Sequence, residues 1–478
     1  MDPRELHVQQ ERQVDVAIIG LGSAGLYALG KVRPSGKSVV AIDGGELGTT
    51  CARVGCMPSK AAIQVAEDFH RRQIFSRYGL QGSDHLILDT VEAMEHIRDL
   101  RDTFVDRVLG NSSDNFPEGM LIDSYVRFVE PDLLETEDGQ RIRAKAIIIA
   151  TGSRPVVPAA WEDFRDDIVT TDEFFELEEL PRSAAVIGLG VIGLEIGHTM
   201  VRMGVDITGI DIAKVIGGTS DPEVAQQAID IVGKEMPLWL GAGAELSRAE
   251  DGRIRVTAGE NSVVVDKVFA SLGRTPNVEK LNLEATGAPL DARGIPVFNR
   301  NTMQVGDLPI YIAGDVSGER PLLHEAGDEG RIAGYNAATG ENAAFRRKTP
   351  LNIVFSDPNI VQVGARYDEL DLETAAVGQM AIPPVGRALI MGKNKGLIRV
   401  YADKASGRML GGEMITVRGE NLGHLLAWCV QKEMTVGEML QMPFYHPVME
   451  EALQAALYDL YSKVDAKNPG PIPELRPL

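Results

Sequence analysis

The chain has 478 residues, 44% hydrophobic and 24% charged, a length that exceeds one hydrophobic core and points to two to four domains. Forty-eight basic against 69 acidic side chains leave a formal charge of −21, which repels a phosphate backbone and argues against nucleic acid as a partner. No run reaches the ~18 apolar residues of a membrane span, residues 1–13 are too polar for a signal peptide, and three cysteines make no secreted disulfide framework, so a cytoplasmic protein is expected.

The first predicted strand, "VDVAII", runs into Gly20, Gly22 and Gly25 and then into a helix; "SVVAID" follows as a second strand ending at Asp43. Each glycine answers a separate demand. Gly20 allows a tight turn, Gly22 lets backbone approach a pyrophosphate, and Gly25 lets helix and strand pack closely, while the helix N-terminus offers unpaired N–H groups to phosphates. Asp43 can accept from a ribose hydroxyl.

Next comes "TTCARVGCMPSK", with Cys51 and Cys56 five positions apart, ahead of a helix predicted over 57–70 with Pro58 near its start. That places Cys56 at a helix N-terminus, where the dipole favours thiolate. A zinc site would need four ligands, but no histidine falls within ten residues of either cysteine, and Cys429 lies far away in "LLAWCV", read as a buried helix. An incidental pair and a redox pair both remain open from these residues alone.

The strand, glycine loop and acid then return in "SAAVIGLGVIGLEIGHTMVRMGVDITGID", with Gly188, Gly190, Gly193 and Asp211. In both copies the acid lies 23 positions after the first glycine, which predicts two dinucleotide sites. "AIIIATGSRP" (146–155, with Gly152) is echoed by "KVFASLGRTPN" (267–277, with Gly273). A third strand, "LPIYIAGDV", is read as ending at Gly314 and Asp315. From 348 onward, "LNIVF", "IVQVGA", "KGLIRVYA" and "MLGGEMI" read as strands followed by helices.

These motifs, together with "LLHEAGDEG" and "YHPVMEEA", resemble the class I pyridine nucleotide-disulfide oxidoreductases over about residues 14–460, and within them the dihydrolipoamide dehydrogenase group. The resemblance implies an α/β fold with two Rossmann-like dinucleotide-binding domains and a C-terminal α+β dimerisation domain. Residues 12–152 and 276–347 would bind FAD, 153–275 NAD, and 348–478 would form a homodimer interface and end in a proline-rich tail. It implies that Cys51 and Cys56 form a redox-active disulfide, with Cys56 facing the flavin and Cys51 meeting the substrate. His446 would be the acid–base group, oriented by Glu451. Lys60, paired with Glu195, would lie by the flavin, Asp315 would bind its ribityl chain, and His324 would fall where backbone contacts it. Gly152 and Gly273 belong to the cofactor-binding turns. Asp211 favours NAD over NADP, because it would accept from a 2′-hydroxyl and repel a 2′-phosphate.

The implied reaction is dihydrolipoamide plus NAD⁺ to lipoamide plus NADH, with a lipoyl-bearing protein or a small dithiol or disulfide as partner. Alternatives are an NAD(P)H-dependent reductase of another small disulfide and a non-catalytic flavoprotein subunit of a multienzyme complex. Three departures bear on the substrate. "GTTCARVG" stands where relatives commonly have "GGTCLNVG", Val448 stands where they carry threonine, and "KNPGPIPELRPL" extends past the usual last helix.

Overall fold

The computed structural model describes residues 11–477. They divide into two compact units: one comprises the chain up to Pro58, His96–Val156 and Gly273–Arg347, the other Ser59–Glu95, Val157–Leu272 and Lys348 onward.

In the first unit, strand Arg12–Ile19 lies between Val39–Asp43 and Arg141–Ile149, all parallel, and Leu121–Asp123 extends the sheet beyond Val39–Asp43. Ile310–Ile312 adds in parallel to Arg141–Ile149, and the hairpin Val126–Glu130 with Leu133–Thr136 completes a seven-stranded sheet. Both faces are covered, so the central strands are continuously apolar rather than alternating. Ala17 and Ile19 join one core layer and Val16 and Ile18 the other. Ile18, Ile42 and Ile148 are wholly buried, each side chain contributing about 1.5–3 kcal/mol. On one face, helix Leu323–Thr339 presses against Ser23–Val32 so closely that a β-carbon on Gly330 would lie 2.3 Å from the Ala24 carbonyl oxygen.

The strand carrying Asp315 is shorter than its sequence suggests. It stops at Ile312, because Gly314 takes φ +84° and turns the chain into the 3₁₀ turn Asp315–Ser317. The two echoed segments form a ribbon of their own, Ser153–Pro155 antiparallel to Arg274–Pro276.

The second unit repeats the architecture. Ser183–Ile187, Asp206–Asp211, Leu238–Leu240, Lys267–Ala270 and Ile168–Val169 make a parallel sheet, with an antiparallel meander over residues 244–265 beside it. A five-stranded antiparallel sheet follows in the order Leu351–Val354, Asn359–Gly364, Met409–Thr416, Leu397–Asp403, Ala375–Ala381. Helices Gly419–Gln431 and Glu450–Lys463 share its apolar core. Ala375–Ala381 was not legible as a strand, since alanine and glycine have little strand preference. Packing selects them: a β-carbon on Gly378 would lie 2.4 Å from the Leu460 β-carbon. Among the described residues no helix is long and apolar enough to cross a membrane.

Candidate functional site

The two glycine loops are near-replicas. Gly20 (φ +97°) and Gly188 (φ +91°) turn the chain where a β-carbon would strike the carbonyl oxygens of Ala150 at 2.4 Å and Ser271 at 2.1 Å. β-Carbons on Gly25 and Gly193 would each lie 1.9 Å from the carbonyl oxygen of the first glycine of their loop. Gly22 and Gly190 differ in kind, because nothing lies within 4 Å of their missing side chains. Both are helix N-caps without a side-chain cap or an acid in the first turn, which leaves first-turn N–H groups for an anion.

The acids do more than their sequence position indicates. Asp43 Oδ2 accepts the Leu21 N–H at 2.6 Å and Oδ1 the Gly45 N–H at 2.9 Å. Asp211 accepts the Leu189 N–H at 2.6 Å and the Ala213 N–H at 2.8 Å in the same way. Each carboxylate thus clamps its own glycine loop and keeps lone pairs for a ribose hydroxyl. Open backbone, unpaired donors and a fixed acceptor fit a dinucleotide at both loops.

Asp315 is held by residues absent from the sequence-based site. Ser153 Oγ donates to Asp315 Oδ2 at 2.8 Å, and Arg274 donates to Ser153 Oγ at 2.8 Å and to the Ser153 carbonyl oxygen at 2.6 Å. Gly152 and Gly273, both in the left-handed region, lead into these two strands. The signal was present in the repeated "SRP" and "RTP", but the contact between them spans 121 residues. His324 is an exposed residue in the first turn of Leu323–Thr339.

Cys51 lies half-buried in the short helix Thr50–Arg53, and Cys56 is exposed as the first residue of Cys56–His70, one position earlier than the predicted start. Gly55 folds the loop back: a β-carbon there would lie 2.9 Å from the Thr50 carbonyl oxygen and 3.3 Å from the Cys51 α-carbon. Thr49 takes φ +67°, a region costly for a β-branched residue. Its hydroxyl accepts the Ala52 N–H at 3.3 Å and so caps the Cys51 helix. Arg53 turns its guanidinium to the Glu46 carboxylate.

One turn beyond Cys56, Lys60 donates to Glu195 Oε2 at 2.8 Å and lies 4.4 Å from the Phe355 ring centre. Glu195 is 5% exposed, and its other oxygen accepts the Phe355 N–H at 2.9 Å. Elsewhere in that unit His446 Nδ1 bonds Glu451 Oε1 at 2.8 Å, while Glu451 Oε2 accepts the Val448 N–H at 3.0 Å. His446, followed by a cis peptide to Pro447, is 81% exposed. The bond from His446, then that from Val448, holds the Glu451 carboxyl below the usual range. Cys429 is helical but only half-buried, because Gly419–Gln431 is a surface helix with Trp428 exposed; burial still pushes its thiol pKa up.

Residues 14–330 match the family model for pyridine nucleotide-disulphide oxidoreductases, and residues 351–457 the dimerisation domain of that family. The dihydrolipoyl dehydrogenase of Haloferax volcanii is 31% identical over 92% of this chain and 95% of its own length. That of Thermus scotoductus is 30% identical over 94% and 98%. A mercuric reductase of Staphylococcus aureus is 28% identical over 92% of this chain and 81% of its own. The fold is that of the HOCl-induced flavoprotein disulfide reductase RclA from Escherichia coli in its Cu(II) complex, with a TM-score of 0.80 at 23% identity, covering 94% of this chain and 99% of that one. By sequence and by fold, the chain belongs to the pyridine nucleotide-disulphide oxidoreductases, flavoenzymes that work with FAD and NAD(H).

Proposed function

We propose that the protein oxidises a dithiol of the dihydrolipoamide type with NAD⁺, through a Cys51–Cys56 disulfide and a His446–Glu451 base. The observation that carries this reading is the cysteine loop closed at Gly55, with Cys56 at the head of a 15-residue helix, in the unit that bears the Gly20–Gly25 loop. Residues 12–152 with 276–347 form the FAD domain in this proposal, 153–275 the NAD domain, and 348–478 the interface of a cytoplasmic homodimer. Gly20, Gly22, Gly25, Asp43, Lys60, Asp315 and the segment at His324 hold FAD, with Glu195 paired to Lys60; Gly188, Gly190, Gly193 and Asp211 serve NAD, and Gly152 and Gly273 belong to the cofactor-binding turns. Bound FAD supplies a two-electron acceptor between the cysteine pair and the nicotinamide.

The chain's own residues perform the thiol chemistry. A substrate thiol loses its proton to His446 and attacks Cys51 sulfur, so the Cys51–Cys56 bond breaks and Cys56 leaves as thiolate, stabilised by its helix N-terminus. The second substrate thiol attacks the mixed disulfide and releases Cys51, leaving a cyclic disulfide product and a reduced pair. Two electrons then pass onward as the Cys51–Cys56 bond re-forms, and one proton is released for each NADH made. Glu451 holds Nδ1 and so fixes the ring, leaving Nε2 as the nitrogen that would take the substrate thiol's proton, the role an acid takes in a serine triad.

A second reading, reduction of another small disulfide by NADH, draws on Arg53, which places a guanidinium, paired with Glu46, two positions from Cys51 where the family pattern that the chain resembles commonly has an uncharged residue. Steady-state rates with dihydrolipoamide and NAD⁺, beside NADH with a panel of small disulfides, distinguish the two. Normal dithiol turnover by a Cys51→Ser variant would exclude both, and purified protein without flavin would favour a non-catalytic subunit.

A further inference from the structure

We infer that Ser153 and Arg274 are positioning residues for FAD: as a relay running from Arg274 through Ser153 to Asp315, they set the orientation of the Asp315 carboxylate. This rests on reading Asp315 as the acid that binds the flavin's ribityl chain. The Ser153 hydroxyl has one proton, and it goes to Asp315 Oδ2 at 2.8 Å. The same Oγ accepts from Arg274 Nε at 2.8 Å, which keeps the hydroxyl from turning round, and Arg274 Nη2 holds the Ser153 carbonyl oxygen at 2.6 Å. The guanidinium lies 3.8 Å from Asp315 Oδ2 and bonds nothing else among the described residues. Asp315 Oδ2 is thereby engaged. Oδ1, bonded by nothing among the described residues, keeps its lone pairs for a ribityl hydroxyl.

Neither side chain is the main support of the backbone here. The turn that carries Asp315 is held by Glu329, 1% exposed, which accepts the Gly314 N–H at 2.8 Å and is itself bonded by Arg347 at 2.9 Å. Within the turn the Ser317 N–H bonds the Gly314 carbonyl oxygen at 2.8 Å and the Gly318 N–H that of Asp315 at 3.1 Å, while Val316 is wholly buried. The ribbon likewise closes on its own. The Val156 N–H bonds the Gly273 carbonyl oxygen at 3.1 Å, the Asn277 N–H that of Gly152 at 3.0 Å, and Asn277 Nδ2 donates to the Thr151 carbonyl oxygen at 2.9 Å. Its register sets Ser153 opposite Pro276, two positions from Arg274, a diagonal that a long side chain spans. What the relay adds is the torsion of one side chain. Without it the Asp315 carboxylate would sample several rotamers, and FAD would have to select one on binding.

Release of FAD from the purified holoprotein, followed by flavin fluorescence at a fixed temperature, separates orientation from fold. Ser153→Ala and Arg274→Gln are each expected to release FAD about tenfold faster than the parent, as for the loss of one hydrogen bond to a charged group. Ser153→Thr keeps the hydroxyl and should stay near the parent. In an Asp315→Ala background neither substitution should add anything, because each acts through that carboxylate. Parental release in both Ser153→Ala and Arg274→Gln, with Asp315→Ala fast, overturns the relay. An equal effect of either substitution with and without Asp315 also overturns it, because the residues would then serve only the fold. Parental release in Asp315→Ala instead removes Asp315 as a flavin-binding acid, and the relay with it.

Discussion

Gly190→Ala tests whether the second glycine loop binds a nucleotide or merely turns the chain. Nothing lies within 4 Å of a β-carbon at this position, and the backbone, at φ −67° and ψ −164°, suits alanine. The folded protein alone therefore has no objection to the methyl group. A pyrophosphate approaching the same backbone does, and it must retreat by about 1 Å, a displacement that costs about 10²-fold in rate. That factor corresponds to about 2.7 kcal/mol, at 1.36 kcal/mol per tenfold. kcat/KM for NAD⁺ should fall by about this factor, chiefly through KM, since binding rather than the thiol step is damaged. Thermal unfolding and stopped-flow reduction of the flavin by dihydrolipoamide should stay at parental values. An unchanged KM for NAD⁺ would refute the reasoning, leaving the loop as a turn. Gly193→Ala gives the contrast: with 1.9 Å to the Gly188 carbonyl oxygen, it should lose stability and NAD⁺ binding together.

At Thr49, alanine keeps the left-handed strain and loses the cap, whereas glycine relieves the strain; Thr49→Gly should exceed Thr49→Ala in stability by about 1–2 kcal/mol. Urea midpoints that rank the two the other way would contradict the strain. Asp211→Ser removes the charge that faces a 2′-phosphate and should raise the NADPH-to-NADH ratio of kcat/KM by at least about tenfold; an unmoved ratio would place cofactor choice elsewhere. Glu451→Gln should lower dithiol turnover by about 10–100-fold and leave flavin content intact, as flavin absorbance would show. Because the folded Glu451 carboxyl lies below its ordinary value of about 4.3, its contact with His446 should persist as pH falls through that value and break only lower down. A carboxyl NMR titration centred at or above the ordinary value would contradict this.

Local backbone demands were the most legible part of the chain. The two glycine loops, their acids and the Cys56 helix were all readable, because each depends on a few consecutive residues. Residues that act through distant partners were not. Arg274 and Ser153 reach Asp315 only after chain segments more than a hundred positions apart have paired. Asp43 and Asp211 were read as ribose acceptors, and their bonds to Leu21 and Leu189 follow from the curl of the turn rather than from spacing. Strand Ala375–Ala381 was hidden because Gly378 answers to a helix 82 positions away rather than to strand preference. Residues 467–477 form no helix or strand, yet Asn468 has a defined seat that proline content alone does not reveal.

The ribbon of Ser153–Pro155 with Arg274–Pro276 holds the exit and the re-entry of the intervening 118 residues, 156–273, side by side, at the strand spacing of about 4.8 Å. With that gap already closed, lengthening the stretch between would add only a slowly growing logarithmic entropy. A graft spliced at Val156 and Gly273 would meet the same doorway, whatever its length, and the host sheet would need no new connection to receive it.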